Sequence, residues 1–404
     1  MISPGFPADM PHFTRGLAQV GATVLGVGDQ PKAALEEPVK EALTAYLQVA
    51  KLWDEERTVG EVTAWLEQHK VKVDRVECMW EPGVVLAAKL RERLGCPGLS
   101  VEQAHWFRDK ESMKQVLDRA GIRTPHHYRA RTKQEVRDAA ARVGFPAIVK
   151  PIDGAGSADT YTLRSEQDLE AALTALGHIN EVSVEEFIEG EEFTYDAICA
   201  DGRVLFENVA WYRPKPLVAR QNPWISPQAI CMRHLDMPEI AGGVDLGRRV
   251  LAALGQKSGF THMEWFRKPD GEVVFGEIGA RSPGGRLTHG MNVSIDGDLF
   301  VGWAEALTKG RITQDLSKRY NTAIVFKRAE GGGDRIARIE GLQRIMAEEG
   351  HHIPLIDLVP VGAPRRDWRQ VVTGDGWIVA RHADLGEALR LADRLSGDLR
   401  IFAG

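Results

Sequence analysis

The stretch "THMEWFRKPDGEVVFGEIGAR", residues 261–281, holds the two carboxylates on which the reading of this chain turns. Lys268-Pro269-Asp270-Gly271 suits a tight turn, with proline at its favoured second position. A turn there makes the stretch a β-hairpin. Pairing Lys268 with Gly271 sets Glu264 opposite Phe275 and His262 opposite Glu277. Side chains alternate between faces with a period of two, so Glu264, Glu277 and Arg281 share one side. Two carboxylates at diagonal positions of one face repel each other unless a positive charge lies between them. Mg²⁺ is the natural filler, a hard ion held by one or two carboxylates plus substrate phosphates. A one-residue slip, such as a glycine bulge at Gly271, would split the acids across two faces and leave an ordinary solvated sheet.

Working outward, "AIVKP" followed by "DGAGSADT" puts Lys150 at a strand end just before a loop containing Gly154, Gly156 and Ser157. Backbone N–H groups of a glycine-rich turn can wrap phosphate oxygens, and a lysine adds a point charge. No G-K-[ST] follows, so this is not a P-loop. Gly26 and Gly28 also follow a strand, but the third glycine of a dinucleotide fingerprint is missing. In "VSVEEFIEGEEF" an apolar strand ends in acids. Extended backbone there can offer a carbonyl and an N–H to an adenine edge. Phe187 and Ile188 supply apolar contact, and a glutamate further on can accept from ribose hydroxyls. Taken alone, that segment reads first as an edge strand with solvated acids.

The remainder reads as α/β. "ATVLGVG" (22–28) and "VDRVECMW" (73–80) read as strands, 58–70 and 83–95 as helices, the last stopped by Gly95 and Pro97. This alternation implies a doubly wound parallel sheet. "SPGFP" resembles the turn after a first strand, although only Met1 and Ile2 precede it. Residues 109–121, 132–144, 165–177 and 242–255 read as helices, with Asp201-Gly202 as a hairpin turn. Residues 213–234 form a proline-rich irregular stretch, a candidate lid or binding loop. From about 320 onward, strand-like "NTAIVFK" and "GWIVAR" alternate with a helix, as in a small α+β domain. At roughly 100–200 residues per domain, 404 residues allow two to three domains.

Composition narrows the function classes. The net charge of −6, with basic residues dispersed, gives no electrostatic case for nucleic acid. Cys78, Cys96, Cys199 and Cys231 show neither zinc nor disulfide spacing and read as reduced thiols. No apolar run approaches the ~20 residues of a membrane span, and the N-terminus lacks a signal-peptide layout. A cytoplasmic protein is expected, with no membrane partner.

In order and spacing, the lysine of "DK", "IVKP" with its glycine loop, "VEEFIEGEE", and the two glutamates followed by arginine resemble the ATP-grasp superfamily over residues 100–320. The resemblance implies an ATP-grasp fold. It divides into an N-terminal α/β domain (1–100), an ATP-grasp domain (101–320) with a lid over about 121–190, and a C-terminal α+β domain (321–404). It implies that Lys110 and Lys150 hold the nucleotide phosphates and that Gly154, Gly156 and Ser157 close over them. It places the adenine hinge at Glu185, Glu186, Phe187 and Ile188, the ribose acid at Glu192, and the metal ligands at Glu264 and Glu277. ATP and one or two Mg²⁺ ions are implied, with Mn²⁺ an admissible substitute. Gly279 stands where the family often has a metal-binding asparagine, and Arg281 is kept to stabilise transition-state charge. "RSPGGRLTHG" resembles the version in carboxylate–amine ligases related to bacterial L-amino-acid ligases. That makes Ser282, Gly284, Gly285, Arg286 and His289 substrate-pocket candidates, with His262 a structural neighbour of the metal acids. The implied activity is ATP-dependent coupling of a small carboxylate to an amine through an acyl phosphate, and family members are often homodimers. The alternatives are an ATP-grasp carboxylase resembling biotin carboxylase or the purine-pathway enzymes, and a nucleotide-binding scaffold without turnover.

Overall fold

A computed structural model describes residues 1–152, 159–178, 180–371 and 373–404. Gly154, Gly156 and Ser157 therefore lie outside the described residues. In chain order the strands are β1 (Leu25–Gly28), β2 (Ala45–Gln48), β3 (His127–Ala130), β4 (Ala147–Pro151), β5 (Tyr161–Leu163) and β6 (Val182–Glu186). There follow β7 (Glu191–Ala200), β8 (Arg203–Arg213), β9 (Gln228–Cys231), β10 (Gly259–Arg267) and β11 (Val273–Gly279). The chain ends with β12 (Asn321–Lys327), β13 (Ile336–Glu340), β14 (Leu355–Leu358), β15 (Gly376–His382) and β16 (Arg400–Ala403).

Eight of these strands form one antiparallel sheet in the order β11-β10-β7-β8-β9-β12-β15-β14. Its central strand β7 is buried along nearly its whole length, the polar Glu192, Thr194 and Asp196 included. One face packs on helices Lys110–Arg119, Pro238–Ala253 and Leu385–Gly397 through Leu117, Val250 and Leu391. The opposite face packs on helices Met10–Gln19, Leu287–Ile295 and Leu299–Lys309 around Phe13, Met291 and Trp303. Burying such large side chains contributes roughly 1.5–3 kcal/mol each. The strands β12, β14 and β15 belong to this same sheet, so the last part of the chain extends the central layer.

A second, four-stranded antiparallel sheet has the order β3-β6-β4-β5. Helices Lys133–Val143 and Glu166–Ala175 cover one of its faces, around Ala140, Val149 and Leu173. Each helix begins where the sequence marks it: Thr132 and Ser165 accept from the backbone N–H groups of Glu135 and Asp168. The uncovered face carries Ile148, Lys150 and Glu185 toward the cavity between the two sheets.

Near the N-terminus, β1 and β2 pair in parallel, and Ile2 forms a parallel bridge to Val27. The expected strand at 73–80 does not form: among the described residues its backbone carbonyls accept from the Ile2 N–H at Glu77 (2.9 Å), from Arg91 Nε at Val76 (2.8 Å) and from the Gly83 N–H at Trp80 (2.9 Å), with no strand pairing along it. Residues 213–234 are also more ordered than their prolines suggest. They hold the end of β8, a short helix (Pro216–Gln221) and all of β9.

Candidate active site

The hairpin reaches its expected result by a different register. The turn is one residue longer than expected, with the Lys268 N–H bonded to the Glu272 carbonyl (2.9 Å) and Gly271 at φ 88°. Arg267 then pairs with Val273 and Trp265 with Phe275. A second shift follows between Trp265 and Glu264, where Gly276 is the extra residue. A Cβ at Gly276 would stand 2.8 Å from the Glu264 carbonyl oxygen, so the bulge requires glycine. Two single-residue shifts restore the original face. Glu264 consequently stands directly opposite Glu277, and His262 opposite Gly279, instead of the diagonal arrangement expected.

Both acids line a cavity of ≈ 570 Å³ enclosed by the two sheets. Lys110 Nζ lies 3.4 Å from Glu277 Oε2. Lys110 is the first residue of a ten-residue helix whose N-cap Asp109 accepts from the Glu111 and Ser112 N–H groups. That helix therefore presents its positive end together with an ammonium group, a setting suited to phosphate. Burial pushes the Glu277 carboxyl up, but Lys110 and then Lys150 outweigh it and bring the pKa down to about 2.

On the smaller sheet, β4 alternates between its buried and cavity faces, and Lys150 is on the cavity side. Its Nζ pairs with Glu185 Oε2 at 3.0 Å. The other oxygen of Glu185 is held by Lys114, a fully buried residue that the sequence did not single out, and by Ser183 Oγ (2.9 Å). Burial alone would raise the Glu185 carboxyl; the two lysines outweigh it and hold it far below the usual range. The Glu185 side chain therefore anchors Lys150.

Of the remaining hinge residues, Glu186 turns its carboxylate outward to Arg123 (2.9 and 3.0 Å) and to the His126 N–H (3.1 Å). Phe187 donates its N–H to the Pro146 carbonyl (3.3 Å), and the ring lies near Arg164 and Lys215. Ile148, Ile188 and Phe266 give this end of the cavity its apolar lining. Glu192 is buried on β7, and burial followed by the charge of Glu264 pushes its carboxyl well above the usual range.

Arg281 is gripped by Glu81, which also accepts from Arg108 Nη1 (2.7 Å); Arg281 Nη1 donates to the Ser282 carbonyl (2.8 Å). Glu81 comes from a segment distant in sequence, and no motif marked it. A Cβ at Gly279 would stand 3.0 Å from Glu81 Oε2. The glycine in place of asparagine thus leaves room for this carboxylate. His262 Nδ1 bonds Asp196 Oδ1 at 2.6 Å, and its Nε2 faces Glu264 Oε1 at 3.7 Å. Asp196, another residue missed in the sequence, is fixed by Thr194 (2.8 Å) and Asn208 (3.1 Å). Burial lowers the His262 pKa, but its bonds to Asp196 and Glu264 outweigh this and raise it to about 9.

The structure divides the substrate candidates. Gly284 and Gly285 line the cavity, and buried Ser282 sits beside Arg281. Arg286 and His289 do not line it. Arg286 pairs with Asp9 (2.5 Å), and His289 packs against Phe300, His12 and Trp377. Burial and Arg286 lower the His289 pKa to about 3, as suits a neutral packed ring.

Among the described residues, no group of three or more His, Cys, Asp or Glu side chains could hold a metal ion. A cation between Glu264 and Glu277 would complete its shell with non-protein oxygens. That donor set fits Mg²⁺ bound together with phosphates and water. Among the described residues no helix is long and apolar enough to cross a membrane.

Known proteins resemble this chain in sequence and in fold. The L-arginine-specific L-amino acid ligase of Bacillus subtilis is 28% identical over 225 residues, 53% of each chain. A D-alanine--D-alanine ligase of Pseudomonas entomophila is 39% identical over 108 residues, 26% of this chain and 34% of its own. The chain spans about half the length of the first curated relatives it matches. In fold it is similar to the crystal structure of an L-amino acid ligase from Bacillus licheniformis (TM-score 0.77, 20% identity, 98% and 96% of the two chains). It is also similar to N5-carboxyaminoimidazole ribonucleotide synthetase from Thermotoga maritima (TM-score 0.71, 18% identity, 98% and 96%). Residues 115–288 match the ATP-grasp domain family, and the chain carries an ATP-grasp domain.

Proposed function

We propose that the protein uses ATP to activate a small carboxylate as an acyl phosphate and couples it to an amine, releasing ADP and phosphate. One observation carries this reading: Glu264 and Glu277 stand directly opposite each other in the cavity that Lys110, Lys150 and Arg281 also line. An amino acid ligase and a D-alanine--D-alanine ligase among the relatives support amide formation as the outcome.

In this reading the adenine lies against Ile148, Phe187 and Ile188, with Glu186 and Ile188 backbone groups at its edge and Glu192 toward the ribose. Lys110 and Lys150 bind the nucleotide phosphate oxygens. One or two Mg²⁺ ions, or Mn²⁺, at Glu264 and Glu277 would supply Lewis-acid neutralisation of those oxygens. The substrate carboxylate attacks the γ-phosphorus in line, and the bond to the ADP oxygen breaks. The amine nitrogen then attacks the acyl carbon, the bond to phosphate breaks, and the nitrogen releases a proton. Arg281 offsets the negative charge that develops in both steps. The loop at Gly154, Gly156 and Ser157 covers the phosphates, and Ser282, Gly284 and Gly285 border the acyl end. Residues 1–100, 101–320 and 321–404 act as N-terminal, ATP-grasp and C-terminal parts, with 121–190 as the lid. The setting is a cytoplasmic enzyme with small-molecule substrates.

The test is ADP release measured over pairs of amino acids, with mass spectrometry of the products. ADP release that needs both partners and yields one amide is expected. An ATP-binding protein that turns over no pair would overturn the assignment. ADP release that needs bicarbonate would replace it with a carboxylase.

A further inference from the structure

The cavity extends well beyond the phosphate end. Across the large sheet its lining passes from Glu277 and Glu264 through Glu192, Tyr212 and Gln228 to Phe326. These residues belong in turn to β11, β10, β7, β8, β9 and β12. Neighbouring strands lie about 4.8 Å apart, so β12 is about 19 Å across from β10. Just past β12 stands Arg328, and over it the ring of Trp368 at 4.0 Å. Arg220, on the short helix Pro216–Gln221, also lines this end.

Arg328 is held in an unusual way. Its Nη1 donates to the carbonyls of Ala219 (2.7 Å) and Asn222 (3.1 Å), which end the helix above it. Among the described residues no carboxylate pairs with it, and Nε and Nη2 make no hydrogen bond. The two donors left over form one edge of the guanidinium, the edge that matches a carboxylate bidentately. Burial and then the charge of Arg220 lower its pKa to about 10, with no acid opposing them. A half-buried arginine flanked by a second arginine carries a desolvation and repulsion cost that a bound anion would relieve. At the opposite end Lys110 meets Glu277, Lys150 Glu185 and Arg281 Glu81, whereas Arg328 meets no carboxylate among the described residues.

We infer that Arg328, stacked on Trp368 and flanked by Arg220, forms a subsite for a second carboxylate on the substrate, remote from the carboxylate that is activated. This rests on the ligase reading and narrows its substrate class. One substrate is an elongated acid with negative charge at both ends, because a compact amino acid does not span the distance from the metal acids to β12.

The test titrates the ADP-bound protein calorimetrically with α,ω-dicarboxylates from glutarate to hexadecanedioate, each against its own monoamide. A preference for the dicarboxylate of about tenfold or more, growing with chain length, is expected. Arg328→Gln should abolish the preference. Trp368→Leu keeps the carbonyl bonds of Arg328 and should reduce the preference several-fold; ADP titration verifies the fold of both variants. Equal binding of diacid and monoamide at every length, or a preference that survives in Arg328→Gln, would overturn the subsite. Failure of the ligase reading is separate. Diacid preference without ADP release for any acid and amine supports the subsite and removes the reaction.

Discussion

Glu185, on the four-stranded sheet, and Glu277, on the eight-stranded sheet, both line the cavity and both meet a lysine, yet their side chains are 4% and 31% exposed. Glu185 is saturated, with Lys114, Lys150 and Ser183 on its two oxygens. Glu277 has one ammonium at 3.4 Å and another carboxylate, Glu264, directly opposite. The first arrangement completes itself within the protein and can only be spoiled by substitution. The second leaves two acids face to face with less positive charge than they can use, and so waits for a cation. What separates a structural ion pair from a binding site here is how much of the carboxylate's demand the chain already meets.

Glu277→Gln should cause the largest change. Removing one of two metal carboxylates forfeits several kcal/mol of charge stabilisation, so ADP release is expected to fall roughly 10³–10⁴-fold. Unfolding in urea should show a smaller loss of stability than in Glu185→Gln, because the depressed Glu277 pKa means the neighbouring lysines favour its charge while the loss of repulsion with Glu264 offsets part of that. Glu185→Gln should show the reverse balance. It strands the buried Lys114 without its counter-charge, a change that costs about 4 kcal/mol. If both variants lose stability equally, the distinction between the two carboxylates collapses.

His262 sharpens the contrast through pH. Its folded pKa of about 9 lies above the ordinary ~6.5 of an unfolded histidine. Its protonation therefore adds stability that is fully present below about pH 6.5 and lost as the pH rises through about 9. At about 1.4 kcal/mol per unit the contribution is about 3 kcal/mol. Lys318, lowered to about 8 by burial, slopes the other way, so the difference between His262→Gln and wild type is the useful measure. That difference should narrow by about 3 kcal/mol between pH 6 and pH 10 in urea unfolding. A constant gap would mean the imidazole is neutral throughout.

What the sequence conveyed follows the same line. Period-two alternation and the turn residues put Glu264 and Glu277 on one face, and the pair survived a wrong register because two one-residue shifts cancel in parity. Strand-end lysines and capped helices were legible because their signals are local. Lys114 and Asp196 were not, because each looks like an ordinary helix or strand residue until a distant segment meets it. The partners of Arg286 and His289 were hidden for the same reason: nothing near them in sequence announces Asp9 or Phe300, which hold them beside the cavity and off its lining. The strand expected at 73–80 failed because an apolar run gives propensity but no partner: the Ile2 N–H and Arg91 Nε reach its carbonyls, but no strand pairs along it among the described residues.

Glu81 belongs to both sides of the comparison, since it completes an ion pair and thereby aims a cavity residue. It holds Arg281 by one oxygen and Arg108 by the other, in space that Gly279 leaves open. Burial raises the Glu81 carboxyl, but Arg281 and Arg108 outweigh it and hold it below the ordinary range, so the clamp is ionic at neutral pH. Glu81→Gln keeps the shape and one acceptor but removes the charge. A hydrogen bond to a charged group contributes about 1.5–3 kcal/mol, which converts to a roughly 10- to 100-fold lower kcat if that energy is what aims Arg281. KM for ATP should stay near wild type, because the lysines that bind the phosphates are untouched. A merely structural role predicts the opposite split: a lower melting temperature with kcat preserved in the fraction that remains folded. Gly279→Ala offers an independent approach, since its new Cβ at 3.0 Å would push the Glu81 carboxylate aside without altering any charge. Loss of kcat in both variants with KM unchanged would place the effect on the orientation of Arg281. Loss in Glu81→Gln alone would assign it to charge, because moving the carboxylate would then have proved harmless.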